Sequence, residues 1–88
     1  MHYLYVLKSA IKDRHYIGIT EDTDKRLRKH NAGDVRSTKP YRPWKLLYTE
    51  TYDDKTSARK RELFLKKTAR ARTELFEQLR LKALSSIG

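Results

Sequence analysis

The sequence predicts a small α/β chain of the α+β type, with three strands and about three helices in a single domain spanning residues 1–88. Three observations carry this. Apolar residues alternate with period two in short runs near residues 2–7, 16–20 and 44–52. Helical stretches, marked by caps, spacing or a stop, fall near 24–31, 55–67 and 73–84. A chain of 88 residues has material for one modest core and no second one.

His2 to Leu7 forms the first strand, with Tyr3, Tyr5 and Leu7 on one face and Leu4 and Val6 on the other. A polar stretch from Lys8 to Arg14 turns the chain into a second strand, where Tyr16, Gly18 and Thr20 oppose Ile17 and Ile19. So short a connection makes an antiparallel hairpin. Its aliphatic side reads as core. The tyrosine side combines rings that pack with hydroxyls that reach a polar site, although tyrosine is also an ordinary packing residue in half-buried strands. Gly18 stands where glycine weakens a strand. Either a bulge or tight packing explains it, or another group, a ligand included, approaches the backbone there.

Thr20 to Thr23 supplies helix caps, and Glu21, Asp22 and Asp24 lie where the helix dipole favours acids. The helix runs to about Asn31 and stops at Gly33. Leu27 is its one large aliphatic residue, so most of it should be exposed. Arg26 and His30, four apart, share a face. Asp34 to Pro43 is a loop rich in Arg, Lys, Ser, Thr and Pro. Trp44 to Tyr52 is the third strand, with Leu46 and Tyr48 on one face and Leu47 and Thr49 on the other. Asp53-Asp54 opens a helix from about Lys55 to Lys67. A last helix from about Thr73 to Leu84 carries Leu75, Phe76 and Leu79, with Leu81 and Leu84 less regularly placed. Between Lys66 and Arg72 lies a basic break or bend.

Composition narrows the function classes. Lysine and arginine number 21 against 11 acids, a net charge of +10. Such a field captures polyanions, and nucleic acid is the leading partner; the bland alternative is a surplus that only maintains solubility. There is no cysteine, which excludes disulfides, thiolate zinc sites and cysteine nucleophiles. His2, His15 and His30 show no metal-ligand spacing. No apolar run approaches the ~20 residues that span a bilayer, and no export signal precedes the first strand. No membrane contact and a cytoplasmic location are expected.

The most informative side chain in the second half is Glu62. At 100° per residue, Glu62 lies about 40° from Ala58 and Leu65 about 20° on the other side. The carboxylate therefore sits within the stripe that faces the protein. Unpaired burial would be costly, so Glu62 has a cationic partner such as Arg26 or Arg59, binds a metal, or opens into a cleft. Two tyrosines, an arginine and histidine on a neighbouring helix, and one inward carboxylate together suit phosphodiester hydrolysis. An arginine clamps phosphate. One glutamate plus waters suits Mg²⁺. A tyrosine or histidine orients water or moves its proton.

Tyr3-Leu4-Tyr5, then Tyr16-Ile17-Gly18 and Arg26, resembles the GIY-YIG nuclease superfamily. Tyr16-Ile17-Gly18-Ile19-Thr20, Arg26-Leu27, His30-Asn31-Ala32-Gly33, Arg42-Pro43-Trp44 and Ala58-Arg59-Lys60-Arg61-Glu62 narrow the resemblance to its small stand-alone bacterial members. The match covers about residues 2–70. It implies a three-stranded antiparallel sheet flanked by helices. It also implies that Tyr5 and Tyr16 are the motif tyrosines, Arg26 the phosphate arginine and His30 a proton or water handler. Glu62 falls on the ligand of Mg²⁺ or Mn²⁺, and the implied reaction is metal-dependent cleavage of one DNA strand at a time. Three features depart from the wider superfamily. The first half-motif lacks its glycine. The only asparagine, Asn31, lies upstream of Glu62 rather than downstream. No targeting domain like that of repair, homing and junction-resolving members is expected, so targeting would fall to a protein partner.

The leading expectation is thus a divalent-metal-dependent endonuclease on DNA more than RNA, directed by structure rather than sequence. The alternative is a non-catalytic basic module that grips nucleic acid and stacks bases on rings such as Trp44 or Tyr41. Contacts to nucleic acid are expected from Gly18, Lys25, Lys29, Arg36, Lys39, Arg42 and Trp44.

Overall fold

Alternation organises the first twenty residues as expected. Strand β1 (His2–Ser9) pairs antiparallel with β2 (His15–Thr20), in the register Tyr3 to Thr20, Tyr5 to Gly18 and Leu7 to Tyr16. A third strand, β3 (Trp44–Tyr52), pairs antiparallel with the other side of β1, giving the order β2-β1-β3. The result is the three-stranded antiparallel sheet with three long helices. The structure is a computed structural model and describes residues 1–85, with side chains through residue 83. The Leu84 side chain and residues 86–88 of the expected domain lie outside the described residues.

Helices cover both sheet faces. Leu4, Val6 and Ile17 meet Leu65 and Leu75 in one core cluster, under α2 (Lys55–Lys67) and α3 (Ala69–Ser85). On the other face Tyr5, Leu7 and Trp44 form a second cluster, joined by Tyr16, Tyr41 and Leu27 of α1 (Thr23–Ala32). Both sides of the hairpin are therefore core, the tyrosine side included. Burying these side chains supplies most of the driving force for folding, roughly 1.5–3 kcal/mol each.

Two sequence expectations need correction. The first concerns β3. Val6 faces Tyr48 while the next residue, Leu7, faces Leu46, so Leu47 is an extra residue in a β-bulge. Leu46 and Tyr48 consequently point to opposite faces rather than sharing one, and Leu46 and Leu47 are both part-exposed. The second concerns the last helix, which begins at Ala69 rather than near Thr73. The basic break shrinks to Thr68, whose backbone leaves the helical region at φ −109° and ψ 91°. Its N–H still reaches the Phe64 carbonyl at 2.9 Å, and its own carbonyl accepts from Arg72 at 3.1 Å. Arg72 also caps α2, donating to the Leu65 and Lys66 carbonyls at 3.2 and 3.0 Å.

Beyond the bulge, β3 is tied to α2 by a closed polar cluster. Glu50 accepts from the Tyr48 and Tyr52 hydroxyls, each at 2.6 Å, and from Arg61 at 3.0 and 3.2 Å. Burial opposes its charge, yet these donors hold the Glu50 carboxyl below the usual carboxylate range. Arg61 is thereby pinned, and Glu62 follows it on the same helix.

Candidate active site

The site begins with a close approach across the hairpin. Tyr5 pairs with Gly18, and its ring lies over the glycine backbone. A Cβ at Gly18 would stand 2.5 Å from the Tyr5 hydroxyl oxygen and 2.7 Å from Cζ. The group that requires glycine here is Tyr5 itself. Gly18 is buried beneath it, which corrects the expectation of a nucleic-acid contact at this position.

Helix α1 then brings its two functional side chains over the tyrosines. Asp22 caps its start by accepting from the Lys25 N–H at 3.0 Å. Gly33 ends it at φ +84°, in the left-handed region that favours glycine. Between these caps, Arg26 and His30 converge on one hydroxyl. Arg26 Nε donates to the Tyr5 oxygen at 3.3 Å, and His30 Nε2 lies 3.0 Å from the same atom. The Tyr16 ring packs against His30 at 4.8 Å and against Tyr5 at 6.1 Å between centroids.

The direction of these hydrogen bonds follows from their far end. Thr38 Oγ1 donates to the Val35 carbonyl at 3.2 Å. With its proton there, the same oxygen can accept from His30 Nδ1, 2.8 Å away. With the bonds in that direction, neutral His30 carries its proton on Nδ1 and accepts from the Tyr5 hydroxyl at Nε2. The chain runs from Arg26 through Tyr5, His30 and Thr38 to Val35, every donor facing an acceptor.

The charges agree. Complete burial, with the Arg26 guanidinium nearby, pushes His30 down to about 4, so the imidazole is neutral near pH 7. Burial pushes the Tyr5 phenol up to about 12, against the hydrogen bond from Arg26 that favours ionisation. Arg26 is held more firmly protonated, first by its bond to Tyr5.

Glu62 occupies the inward stripe with Ala58 and Leu65, at 4% exposure. Arg59 Nη1 donates to its Oε1 at 2.6 Å and Lys66 Nζ to its Oε2 at 3.1 Å. Of the two cations expected from sequence, Arg59 is a partner of Glu62, while Arg26 is on Tyr5. Lys66 Nζ also lies 5.8 Å from the Tyr16 ring centre. Since α2 and Tyr16 belong to opposite sheet faces, this contact wraps around the edge strand β2. The Glu62 charge adds to the raised pKa of Tyr5. Tyr5, Tyr16, Arg26 and His30 thus form one cluster, and Lys66 links Glu62 to it. Among the described residues no group of three or more His, Cys, Asp or Glu side chains is arranged to hold a metal; Glu62 is a lone carboxylate.

Residues 1–75 match the GIY-YIG catalytic domain family. The chain belongs to the GIY-YIG family. Its relatives include a UPF0213 protein of Halobacterium salinarum, 37% identical over 75 residues that cover 84% of this chain and 96% of the relative. The UPF0213 protein YazA of Bacillus subtilis is 38% identical over 77 residues, covering 85% of this chain and 76% of the relative. The solution NMR structure of a UPF0213 protein from Bacillus halodurans is similar at a TM-score of 0.54 and 30% identity, covering 89% of this chain and 83% of that one.

Around the GIY-YIG tyrosines, the basic candidates divide. Lys25, Arg26 and Lys29 line an open hollow of ≈ 260 Å³ with Thr20, Glu21 and Asp22. Lys39 and Arg42 line another of ≈ 570 Å³ at the end of α1, and Arg36 is exposed. Arg42 is partly committed, since its Nε donates to the Lys39 carbonyl at 3.0 Å. Trp44 is a correction. It is 4% exposed, and its indole N–H donates to the Thr38 carbonyl at 2.9 Å, so it cannot stack on a base. One face of the half-exposed Tyr41 ring is covered by the Arg14 guanidinium, 4.6 Å from the ring centre. No helix among the described residues is long and apolar enough to cross a membrane.

Three residues of this GIY-YIG site escaped the sequence reading. Lys66 had a signal, being four residues from Glu62 on one helix. Asn31 clamps the Trp44 backbone, accepting from its N–H at 2.6 Å and donating to its carbonyl at 3.1 Å. Thr38 holds His30. Neither of the last two had a local signal, because each finds its partner across a loop.

Proposed function

We propose that the chain is a divalent-metal-dependent endonuclease acting on nucleic acid, DNA more than RNA, and recognising structure rather than sequence. Membership of a catalytic-domain family and the net charge of +10 support the substrate class. The observation that carries the chemistry is the Tyr5 hydroxyl held between a permanent cation and a neutral imidazole.

In this reading Arg26 binds a phosphate oxygen beside the hollow it lines and stabilises charge as the transition state develops. Tyr5 takes a proton from the attacking water as its own passes to His30 Nε2. A phenol with a pKa near 12 is a poor base in advance of reaction, so the two transfers are coupled. Substrate assists the second one. Arg26 depresses the His30 pKa, and phosphate neutralises that charge. Tyr16 packs both rings in place.

Glu62 is the residue that would hold Mg²⁺ or Mn²⁺. A lone carboxylate suits an ion that keeps most of its waters. Both of its oxygens are engaged, but Arg59 and Lys66 stand on side chains that are 58% and 45% exposed and can swing aside. When bound, the ion supplies Lewis-acid stabilisation of the scissile phosphate and the departing oxygen.

The same ion pairs favour the second reading, a non-catalytic binding module in which Glu62 is structural. Incubating the purified protein with nicked, branched and single-stranded DNA and with RNA, with and without Mg²⁺, separates the two. Cleavage that requires metal and disappears in Glu62→Ala supports the nuclease. Background-level products from both proteins, with salt-sensitive binding that survives Glu62→Ala without metal, would favour the module.

A further inference from the structure

We propose that Thr38 is a positioning residue that sets the tautomer of His30 and thereby the direction in which the Tyr5 proton can move. The part concerning reaction rests on the nuclease reading above; the part concerning the imidazole stands without it.

Thr38 is 2% exposed, and its hydroxyl oxygen lies 2.8 Å from His30 Nδ1 while donating to the Val35 carbonyl. Its backbone is fixed from several sides. The Trp44 indole and the Tyr41 N–H donate to its carbonyl at 2.9 and 3.1 Å, and its own N–H reaches the Val35 carbonyl at 3.2 Å. Asn31 in turn clamps Trp44. A loop residue held this firmly presents one oxygen to one ring nitrogen. As an acceptor there, it keeps the proton on Nδ1 and a lone pair on Nε2, facing Tyr5. When the Tyr5 O–H bond breaks, the proton forms a new N–H bond at Nε2. The resulting imidazolium keeps its Nδ1 proton on Thr38, whose bond to it strengthens with the charge.

Without the hydroxyl, the Nδ1 proton would be buried with no acceptor, a costly arrangement. The ring escapes by moving that proton to Nε2 and donating to the Tyr5 oxygen. Tyr5 then faces a donor and has nowhere to send its proton. The packing of Tyr5, Tyr16 and His30 would barely change, so the defect would be one of proton direction rather than shape.

The test replaces Thr38 by Val, which keeps the branched outline, by Ala, which removes steric strain as an objection, and by Ser, which restores the hydroxyl. Long-range proton–nitrogen correlation spectra of histidine-labelled protein report the His30 tautomer directly, and cleavage is followed across pH. Wild type and Thr38→Ser are expected to carry the proton on Nδ1 and to cleave within about threefold of each other. Thr38→Val and Thr38→Ala are expected to carry it on Nε2 and to lose about 100-fold in rate, with an altered pH profile. Retention of the Nδ1 proton in both hydroxyl-less variants overturns the proposal, as does a tautomer swap that leaves cleavage unchanged. A wild type that cleaves nothing defeats the nuclease reading instead, and the spectra still decide what Thr38 does to the ring.

Discussion

The Tyr5 hydroxyl sits against the backbone of Gly18, in the space that any side chain at that position would need. A methyl group there would be 2.5 Å from the phenolic oxygen, well inside contact distance, while β2 is held in register along its length by β1. The ring is the part able to yield. Gly18→Ala should push Tyr5 away from both Arg26 and His30, destabilise the fold by about 1–3 kcal/mol, and cut cleavage at least tenfold. Denaturant unfolding and the His30 nitrogen shifts would reveal it; an unchanged imidazole environment would show that Tyr5 had not moved.

Acid should weaken the fold through His30. Its folded pKa of about 4 lies below the 6.5 of an exposed imidazole, so the unfolded chain binds this proton first as pH falls. The sign is fixed by that order: the contribution is complete above about pH 6.5 and is lost progressively towards 4. Its size is on the order of 3 kcal/mol for a ring buried neutral. Urea midpoints measured from pH 7 downward should fall less steeply in His30→Gln than in wild type. Parallel pH dependences in the two proteins would contradict a buried neutral imidazole.

In the proposed metal-binding reading, Lys66 and an entering cation would compete for one carboxylate oxygen. Lys66→Gln is therefore expected to tighten Mn²⁺ binding roughly tenfold, about 1.4 kcal/mol, as read from the resonance of free Mn²⁺. Glu62→Gln should abolish that binding. Neither change should cost much more than ~1 kcal/mol in stability, since the cations involved already stand half in water. Mn²⁺ affinity indifferent to Lys66 would place the ion elsewhere.

Trp44, the single tryptophan of the chain, is a built-in reporter. Because its indole is buried and bonded to Thr38, its emission should stay constant as an oligonucleotide saturates the protein. Strong quenching on binding would restore it as a stacking surface. Asn31→Ala should instead loosen it, leaving the Trp44 N–H and carbonyl without their partner at a cost of about 1–3 kcal/mol.

Much of this architecture was legible because its signals are local. The bounds of β3 and α2 match the expectation, since Asp53-Asp54 separates a β-rich run from a helical one and Asp54 caps α2. Glu62 could be placed by angle alone, because a helix converts spacing into direction. What escaped depends on distant partners. Trp44 looked available at the head of its strand, yet the fold brings Thr38 and Asn31 to it. The bulge at Leu47 left no composition cue: Leu46-Leu47-Tyr48 alternates as well in either register. His30 was recognisable as a candidate, but its ring is held by a threonine eight residues away.

The bulge has a consequence for what changes the chain can absorb. It acts as a parity switch: before Leu47, even-numbered positions of β3 face α1, and after it they face α2. One strand thereby serves the layer that holds Arg26 and His30 and the layer that holds Glu62, without a turn between them. Composition at Leu47 is almost indifferent to this arrangement, whereas length is not. Leu47→Ser should melt close to the parent, but deletion of Leu47 would send either Trp44 or the Tyr48-Glu50-Tyr52 cluster to the wrong side of the sheet. A deletion variant as stable as the parent would refute this. The spacing between the two halves of the site is thus encoded as a count of residues, not as the identity of any one of them.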